Sequence, residues 1–433
     1  MSNKAKTKSL NEDGQPALVP KLRFPEFRGA EGWVLKRLKD ACDVNPANSA
    51  VPESFVYIDL ESVEAGELKT RKIINRDEAP SRAQRLLRSG DVIFQIVRPY
   101  QRNNLHFKTS EGIGYVASTG YAQLRAKDSA DFLFQAVHVD NFVDRVIAKC
   151  TGSSYPAINS SDLADVPFAI GRPVEQQKIA DCLSSLDELI AAQARKVDAL
   201  KTHKKGLMQQ IFPSEGETQP RLRFPEFRDA GEWEAGNLGS KVSKVGSGIT
   251  PTGGDTNYKQ AGRPFVRSQN VGWGVLLLED VAFIDEETHT SFSATEIKNL
   301  DVLLNITGAS IGRSVVADQR IVGGNVNQHV CIIRVKPAEL NPFFINQYLI
   351  SQMGQAQIDS FQAGGNREGL NFAQIRSFFI PLPPNISEQQ RIADCLTSLD
   401  TLITTGTQEL ETLKTHKKGL MQQLFPSTEE APA

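Results

Sequence analysis

The sequence predicts a tandem duplication in which two long helices, paired antiparallel as a coiled coil about a pseudo-twofold axis, carry two dissimilar modules. Three observations predict it. A short motif is written twice, a long motif is written twice, and an apolar heptad pattern runs the length of the long one.

The short motif is PKLRFPEFR at 20–28 and PRLRFPEFR at 220–228, with eight of nine positions identical. Trp33 and Trp233 keep the same offset. The long motif occupies 175–214 and 388–427 and repeats 27 of 40 residues, from EQQ and IADCL to KTHKKGLMQQ and FPS. Between these pieces, 34–174 and 234–387 share only faint similarity. A period this long marks a duplicated domain pair rather than a solenoid.

In the first long motif Ile179, Leu183, Leu186, Ile190, Val197, Leu200, Leu207 and Ile211 follow alternating steps of four and three, with Gln193 and Lys204 completing the series. The second copy places Ile392, Leu396, Leu399, Ile403, Leu410, Leu413, Leu420 and Leu424 in the same way, with Gly406 and Lys417 as its exceptions. A sustained 3.5-residue period is a coiled-coil seam. Pro173 suits a first-turn position, Ser387 with Gln390 reads as a capping box, and Pro213 and Pro426 end the helices. Each helix of about 37 residues would reach roughly 55 Å. A single helix with one apolar seam needs a partner. The other copy is the economical one, and packing of each helix on its own module alone is the alternative.

These boundaries divide the chain into a disordered tail at 1–19, a first module at 20–174, a first helix at 175–213 and a linker at 214–219. A second module follows at 220–387, then a second helix at 388–427 and a tail at 428–433. The 433 residues carry a net charge of -2, with 40% hydrophobic and 23% charged residues, enough to build cores. No apolar run approaches the ~20 residues of a membrane span, and the lysine-containing N-terminus lacks the apolar core of a secretory signal. Cys42, Cys150, Cys182, Cys331 and Cys395 are odd in number and contain no CxxC pair, which suits thiols in a reducing cytoplasm.

Catalytic signatures are missing. There is no GxxxxGK[ST] loop, no GxGxxG and no HExxH. DEAP at 77–80 stands without a phosphate-binding loop, and Asn341-Pro342-Phe343 is one proline short of an amino-methyltransferase tetrapeptide. Glu67-Leu68-Lys69 and Glu296-Ile297-Lys298 are triplets that occur often by chance. No catalytic residue and no metal site is expected.

Polar loops are the candidate binding elements. Residues 71–108 hold nine basic against three acidic side chains. There Arg98, Tyr100, Arg102, Asn103 and Asn104 follow the apolar run Val92–Val97, and arginine matches guanine edges as asparagine or glutamine matches adenine. A merely solvated loop is the alternative. The second module, with ten basic and twelve acidic residues over 251–381, relies on three polar loops instead. Thr307, Ser310 and Arg313 follow the strand Asp301–Leu304; Asn325, Asn327 and Gln328 precede the strand Val330–Val335; Gln362, Asn366 and Arg367 lie in a glycine loop. The stretch of the first module matching that loop holds Ser153, Ser154 and Tyr155. Gly/Asn loops are also ordinary turns. Lys201, Lys204 and Lys205, with Lys414, Lys417 and Lys418, could contact DNA or a partner, or simply complement the helix dipole.

The doubled LRFPEF, the EQQ…IADCL helix start, the KTHKKGLMQQ…FP helix end and NITGASIGR at 305–313 together resemble the DNA-specificity (S) subunit of type I restriction–modification systems, over residues 20–427. The resemblance implies two α/β target-recognition domains, each reading one half of a split site in double-stranded DNA. It implies helices that set the unread spacer and dock two modification (methyltransferase) subunits, which bind S-adenosylmethionine and methylate adenine. Restriction (translocase/nuclease) subunits using ATP and Mg2+ join them. This chain itself would be non-catalytic, hold no cofactor, touch no membrane and act in the cytoplasm. Two further classes stand beside this one: a stand-alone DNA-binding decoy and a purely structural coiled-coil adaptor. Two modules reading one face of B-DNA need centres roughly 34–36 Å apart. A heptad inserted within 191–199, where AAQARKVDA shares nothing with TTGTQELET, is expected to shift the spacer and leave the half-sites unchanged.

Overall fold

A computed structural model of the chain describes residues 18–48, 50–152, 154–251, 253, 257–362 and 369–427. They form two compact units, one within Met1–Gln193 and Glu409–Ala433 and one within Ala194–Gln408. Each long helix thus gives one half to each unit.

In the first unit the run VIFQ makes a strand buried at every position, Val92–Gln95. It lies in a four-stranded antiparallel sheet ordered Cys42–Val44, Tyr121–Ala126, Val92–Gln95, Leu105–His106. A second sheet runs Lys72–Asn75, Ser54–Ile58, Gly114–Ser118, Ala83–Leu86, with Ser54–Ile58 and Gly114–Ser118 parallel. Val34–Arg37 pairs with Pro167–Ile170 near the start of the long helix. The helices Ala130–Ala136 and Asp140–Ala148 bury Phe132, Leu133, Phe142 and Val146.

The second unit repeats this plan despite its divergent sequence. Its antiparallel sheet runs Val242–Ser247, Val330–Val335, Val302–Asn305, Ser314–Val316. Its other sheet runs Ala282–Ile284, Arg263–Val266, Asn325–Val326, again with one parallel pair. Glu234–Asn237 pairs with Phe379–Leu382. One internal ion pair is repeated as well. Buried Asp91 accepts both arms of Arg125, and buried Asp301 accepts both arms of Arg334. Each aspartate precedes the central strand and also accepts a backbone N–H, from Arg88 or Lys298. Two modules of mixed α/β structure with one topology therefore underlie the two dissimilar sequences.

The long helices are Pro173–Ile211 and Ile386–Leu424, 39 residues each, about 58 Å at 1.5 Å per residue. Pro173 opens the first, and both stop before their prolines. The second is capped by Asn385, whose carboxamide accepts the backbone N–H and the hydroxyl of Ser387. The cap therefore sits two residues before the expected Ser387, because the helix begins at Ile386.

All sixteen apolar seam positions are buried or half-buried. In the first unit Lys417 pairs with Asp187, and Gln193 donates to Glu409. Rising numbers on one helix meet falling numbers on the other, so the halves are antiparallel. Ile179, Leu183, Leu424 and Phe425 enter one core with Trp33 and Phe132. In the second unit Lys204 pairs with Asp400, and Ile211 shares a core with Ile392, Leu396 and Trp233. Both helices thus line each core, against the alternative that each helix packs only on its own module.

The short motif is an anchor for this joint. Arg23 gives a bidentate pair to Glu175 at 2.6 and 2.7 Å, and Arg223 does the same to Glu388 at 2.7 and 2.8 Å. All four side chains are at most 7% exposed. Their remaining N–H groups reach the carbonyls of Ala30 and Glu31, or of Ala230 and Gly231, which satisfies an otherwise costly buried charge. Leu18, expected in a tail, is 5% exposed and exchanges backbone hydrogen bonds with Trp33. Its side chain packs in the core with Trp33, and the polar residues of 1–15 stop short of it.

Candidate nucleic-acid interface

In the first unit the chain leaves Val92–Gln95 into a 3-10 turn, Pro99–Gln101, flanked by Arg98 and Arg102. Both arginines have a φ of 55°, a left-handed backbone that costs a bulky residue of order 1 kcal/mol or more. The inner side of the turn is stitched down. Asn104 accepts the N–H of Gln95 and donates to His138 Nε2, while Gln95 donates to Gln101 and accepts from Asn103 N–H. Half-buried His138 donates Nδ1–H to the Phe134 carbonyl at 2.7 Å. Burial pushes its pKa down to about 4, so the ring stays neutral.

Asn104, expected at the surface, is therefore a loop brace, 1% exposed. Arg102 is also spent on structure, with its guanidinium on Asp140 at 2.7 Å and on the His138 carbonyl. Arg98, Tyr100 and Asn103 remain on the outer side. Loop 151–157 comes to the same place through a bridge between Val97 and Ala157 and a bond from Arg98 N–H to the Pro156 carbonyl. The Arg98 guanidinium lies 4.3 Å from the ring centre of Tyr155, which is 65% exposed. Tyr100 is 50% exposed and Ser154 is also exposed. Ser153 lies outside the described residues. The structure thus joins two loops that are distant in sequence into one surface carrying arginine, tyrosine, serine and asparagine.

A third of the nine basic side chains of 71–108 are paired locally with carboxylates, Arg102 among them. Arg71 pairs with Glu111, Lys108 with Asp131, and Arg76 reaches the Pro52 carbonyl. Burial pulls the Arg85 guanidinium below its usual pKa. Lys72, Arg82 and Arg88 are exposed.

The second unit builds the corresponding surface differently. After Val302–Asn305 the loop turns through Gly308 and Gly312, with φ of 71° and 84°. The left-handed φ favours glycine at 312, where a Cβ would also come 2.4 Å from Gln355 Oε1 and push that side chain aside. Thr307 Oγ1 is 2.5 Å from His329 Nδ1, His329 Nε2 faces Gln328 Nε2 at 3.0 Å, and Thr250 donates to Gln328 Oε1. Thr307 also bridges to Gly369, as Val97 does to Ala157. Ser310 and Arg313 are half-exposed, Gln328 is exposed, and no side chain among the described residues engages the Arg313 guanidinium. Gln362 is half-buried at the end of the helix Gln352–Ser360. Asn366 and Arg367 lie outside the described residues.

Two expected contacts are internal. Asn325 is fully buried, bonded to His289, Thr295 and the Phe292 carbonyl. Asn327 is 7% exposed and accepts the His329 N–H. Both hold the strand pairing and loop against unpaired polar groups. His329 and Thr250 were not singled out from sequence; a histidine directly beside Gln328 was the available signal.

Lys204 and Lys417 are likewise not surface cations. Each is drawn into the seam by an aspartate, Asp400 or Asp187. Among the described residues, no three His, Cys, Asp or Glu side chains come together as metal donors, and no helix is long and apolar enough to cross a membrane.

A pair of like-folded α/β modules, each pushing two polar loops outward from its central sheet and each seated on paired helices, defines a tandem loop-presenting class of protein. The model of the type I restriction modification DNA specificity domain matches residues 30–202 and 232–415, and the chain belongs to that family. The MjaVIII specificity subunit of a type I restriction enzyme from Methanocaldococcus jannaschii is 23% identical over 282 residues, covering 63% of this chain and 64% of that protein. The MjaIX specificity subunit from the same organism is 22% identical over 370 residues, covering 81% and 83%. The match spans under two thirds of the length of the MjaVIII relative and of a MjaX one, at 64% and 60%. Among solved structures, the type I restriction–modification S subunit from M. genitalium aligns with a TM-score of 0.62 at 15% identity, over 94% of this chain and 99% of that one. A chain from a structure of assembly and conformational transition in a type I R-M system aligns at 0.54 with 22% identity, over 91% and 98%. Both share the fold.

Proposed function

We propose that this chain is the non-catalytic DNA-specificity subunit of a type I restriction–modification complex, with each module reading one half of a bipartite target. The observation that carries the reading is the repeated placement of two polar loops beside the central strand of each module, in a chain belonging to the specificity-domain family. In this reading residues 20–174 and 220–387 are the recognition domains. Arg98, Tyr100, Asn103, Ser154 and Tyr155 face DNA in the first, and Thr307, Ser310, Arg313, Gln328 and Gln362 in the second. Ser153, Asn366 and Arg367 stay with them as sequence-based candidates. Arginine gives bidentate donors to guanine, the tyrosines give stacking faces, and the hydroxyls and amides serve either strand.

The helices 175–213 and 388–427 set the unread spacer and dock two modification subunits carrying S-adenosylmethionine. Restriction subunits with ATP and Mg2+ complete the complex, which acts in the cytoplasm. In the second unit a groove of about 750 Å³, lined by Lys201, Lys205, Met208, Trp273, Met353 and Ile403, offers a mixed apolar and basic surface beside the first helix for such docking. The acidic balance of the second module leaves part of the phosphate affinity to the modification subunits.

Mapping methylated adenines in host DNA, with and without the gene for this chain, tests the reading. One split motif that vanishes with the chain is expected. Unchanged methylation would overturn it, and DNA binding without any co-purifying methyltransferase would favour the stand-alone decoy.

A further inference from the structure

The two lysines that interrupt the apolar seam are built into matching clusters. In the second unit Lys204 Nζ lies 2.6 and 2.7 Å from the two carboxylate oxygens of Asp400, and Gln347 Nε2 donates to the same carboxylate at 2.7 Å. In the first unit Lys417 Nζ lies 2.6 and 2.8 Å from Asp187, and Gln135 Nε2 donates to it at 2.7 Å. The lysines and aspartates come from the repeated helices. The glutamines come from the modules, whose sequences otherwise diverge.

Gln135 and Gln347 are 2% and 3% exposed. The Oε1 of each is buried with no hydrogen-bond partner among the described residues. Leaving a buried acceptor unpaired is costly, yet both modules keep this arrangement. The amide is aimed to satisfy the helix aspartate rather than itself. Simple cohesion does not call for such a cluster, because apolar residues of similar size in place of an ion pair drawn out of water are often neutral or stabilising, and these pairs are only partly buried. What a partly buried pair held by directional hydrogen bonds from a buried glutamine supplies is a single permitted geometry.

We infer that Gln135–Asp187–Lys417 and Gln347–Asp400–Lys204 are positioning clamps that fix the angle of each module on its helix pair and, on the proposed reading of a split target, the gap between half-sites. Lysine fixes helix to helix, and glutamine fixes module to helix. The shared aspartate couples the two settings, so a module cannot tilt without breaking a bond in the seam.

The test uses the full chain with its partner subunits, reading adenine methylation across a genome. The wild type should show one split motif with one gap; if it shows none, the proposed function fails before the clamp is reached. Lys204→Leu with Asp400→Leu, which also strands the buried Gln347 amide, should lower the thermal unfolding midpoint modestly while methylation at gaps one base pair longer or shorter rises by about tenfold, as expected when a positioning contact is lost. The reversed pair, Lys204→Asp with Asp400→Lys, should bring back the single gap. Gln347→Met, which leaves the ion pair intact, should broaden the gap more weakly and settles the matter if the double-leucine variant does not fold. A folded double-leucine variant with the wild-type gap and rate, or in its absence a Gln347→Met chain with the wild-type gap, would overturn the inference.

Discussion

Arg98 holds a left-handed backbone and lies over an exposed tyrosine ring. This pre-orients a guanidinium without burying it, which suits reading a base edge. Arg98→Ala should therefore lower discrimination at one base pair by about 1–3 kcal/mol and leave the rest of the motif intact. Competition binding against single-base variants of the target checks this, and uniform weakening on all sequences would make Arg98 a phosphate contact. His138, one layer inside the same loop, makes stability pH-dependent. Its folded pKa is down at about 4, below the usual 6.5. The unfolded chain takes up a proton that the folded chain refuses, so stability is lost as pH falls from about 6.5 toward 4. Between pH 7 and pH 5 the loss should be about 2 kcal/mol from this group. Urea unfolding of the wild type against His138→Gln at the two pH values isolates it, and the pH-dependent part of the difference should vanish in the variant.

At the scale of elements, the loop after Val302–Asn305 is shaped by its glycines. Gly312 combines a positive φ with Gln355 Oε1 at 2.4 Å from a built Cβ, whereas Gly308 has the positive φ with open space around it. Alanine should cost about 1 kcal/mol at 308 for the positive φ, and more at 312, where Gln355 must also shift off its bonds to the Gly312 and Leu349 carbonyls. Thermal unfolding of the two variants orders them, and equal costs would contradict the contact. The long helices were the most legible elements, since eight apolar positions at a 3.5-residue period leave no other structure open. The loops were legible as loops but not in their orientation. Asn104 and Asn325 share the composition of a reading loop, yet each braces its own turn, because a side-chain amide serves a buried backbone as well as a base. The link between loops 98–104 and 151–157 is made by backbone bonds, the Val97–Ala157 bridge and Arg98 N–H to the Pro156 carbonyl, which have no composition signal. The clamp had a signal: two lysines at equivalent places in an apolar seam must meet a carboxylate there.

For the whole molecule, the doubled motifs carried the architecture. They contain Arg23 and Arg223 with Glu175 and Glu388, so the joint between module and helix was written twice before any geometry was known. The common topology of the modules was not legible, because buried strands tolerate many apolar sequences of the same volume. The stretch 191–199 and its counterpart 404–412 share no identities, and most of it is exposed. Adding one heptad to each should lengthen the unread gap of the target while both half-sites keep their sequence. A methylation survey with the wild-type gap would contradict the helices as the measure of spacing.

Leu424 and Phe425 complete the core around Trp33 and Phe132, with Phe425 stacked on Phe132 and edge-on to Trp33. During synthesis, the module built from 20–174 must wait for Leu424 and Phe425, made after the whole of the second module, before its interior can close. A product released early would therefore leave that module open, exposing apolar surface to chaperones and proteases while its partner module stood almost finished.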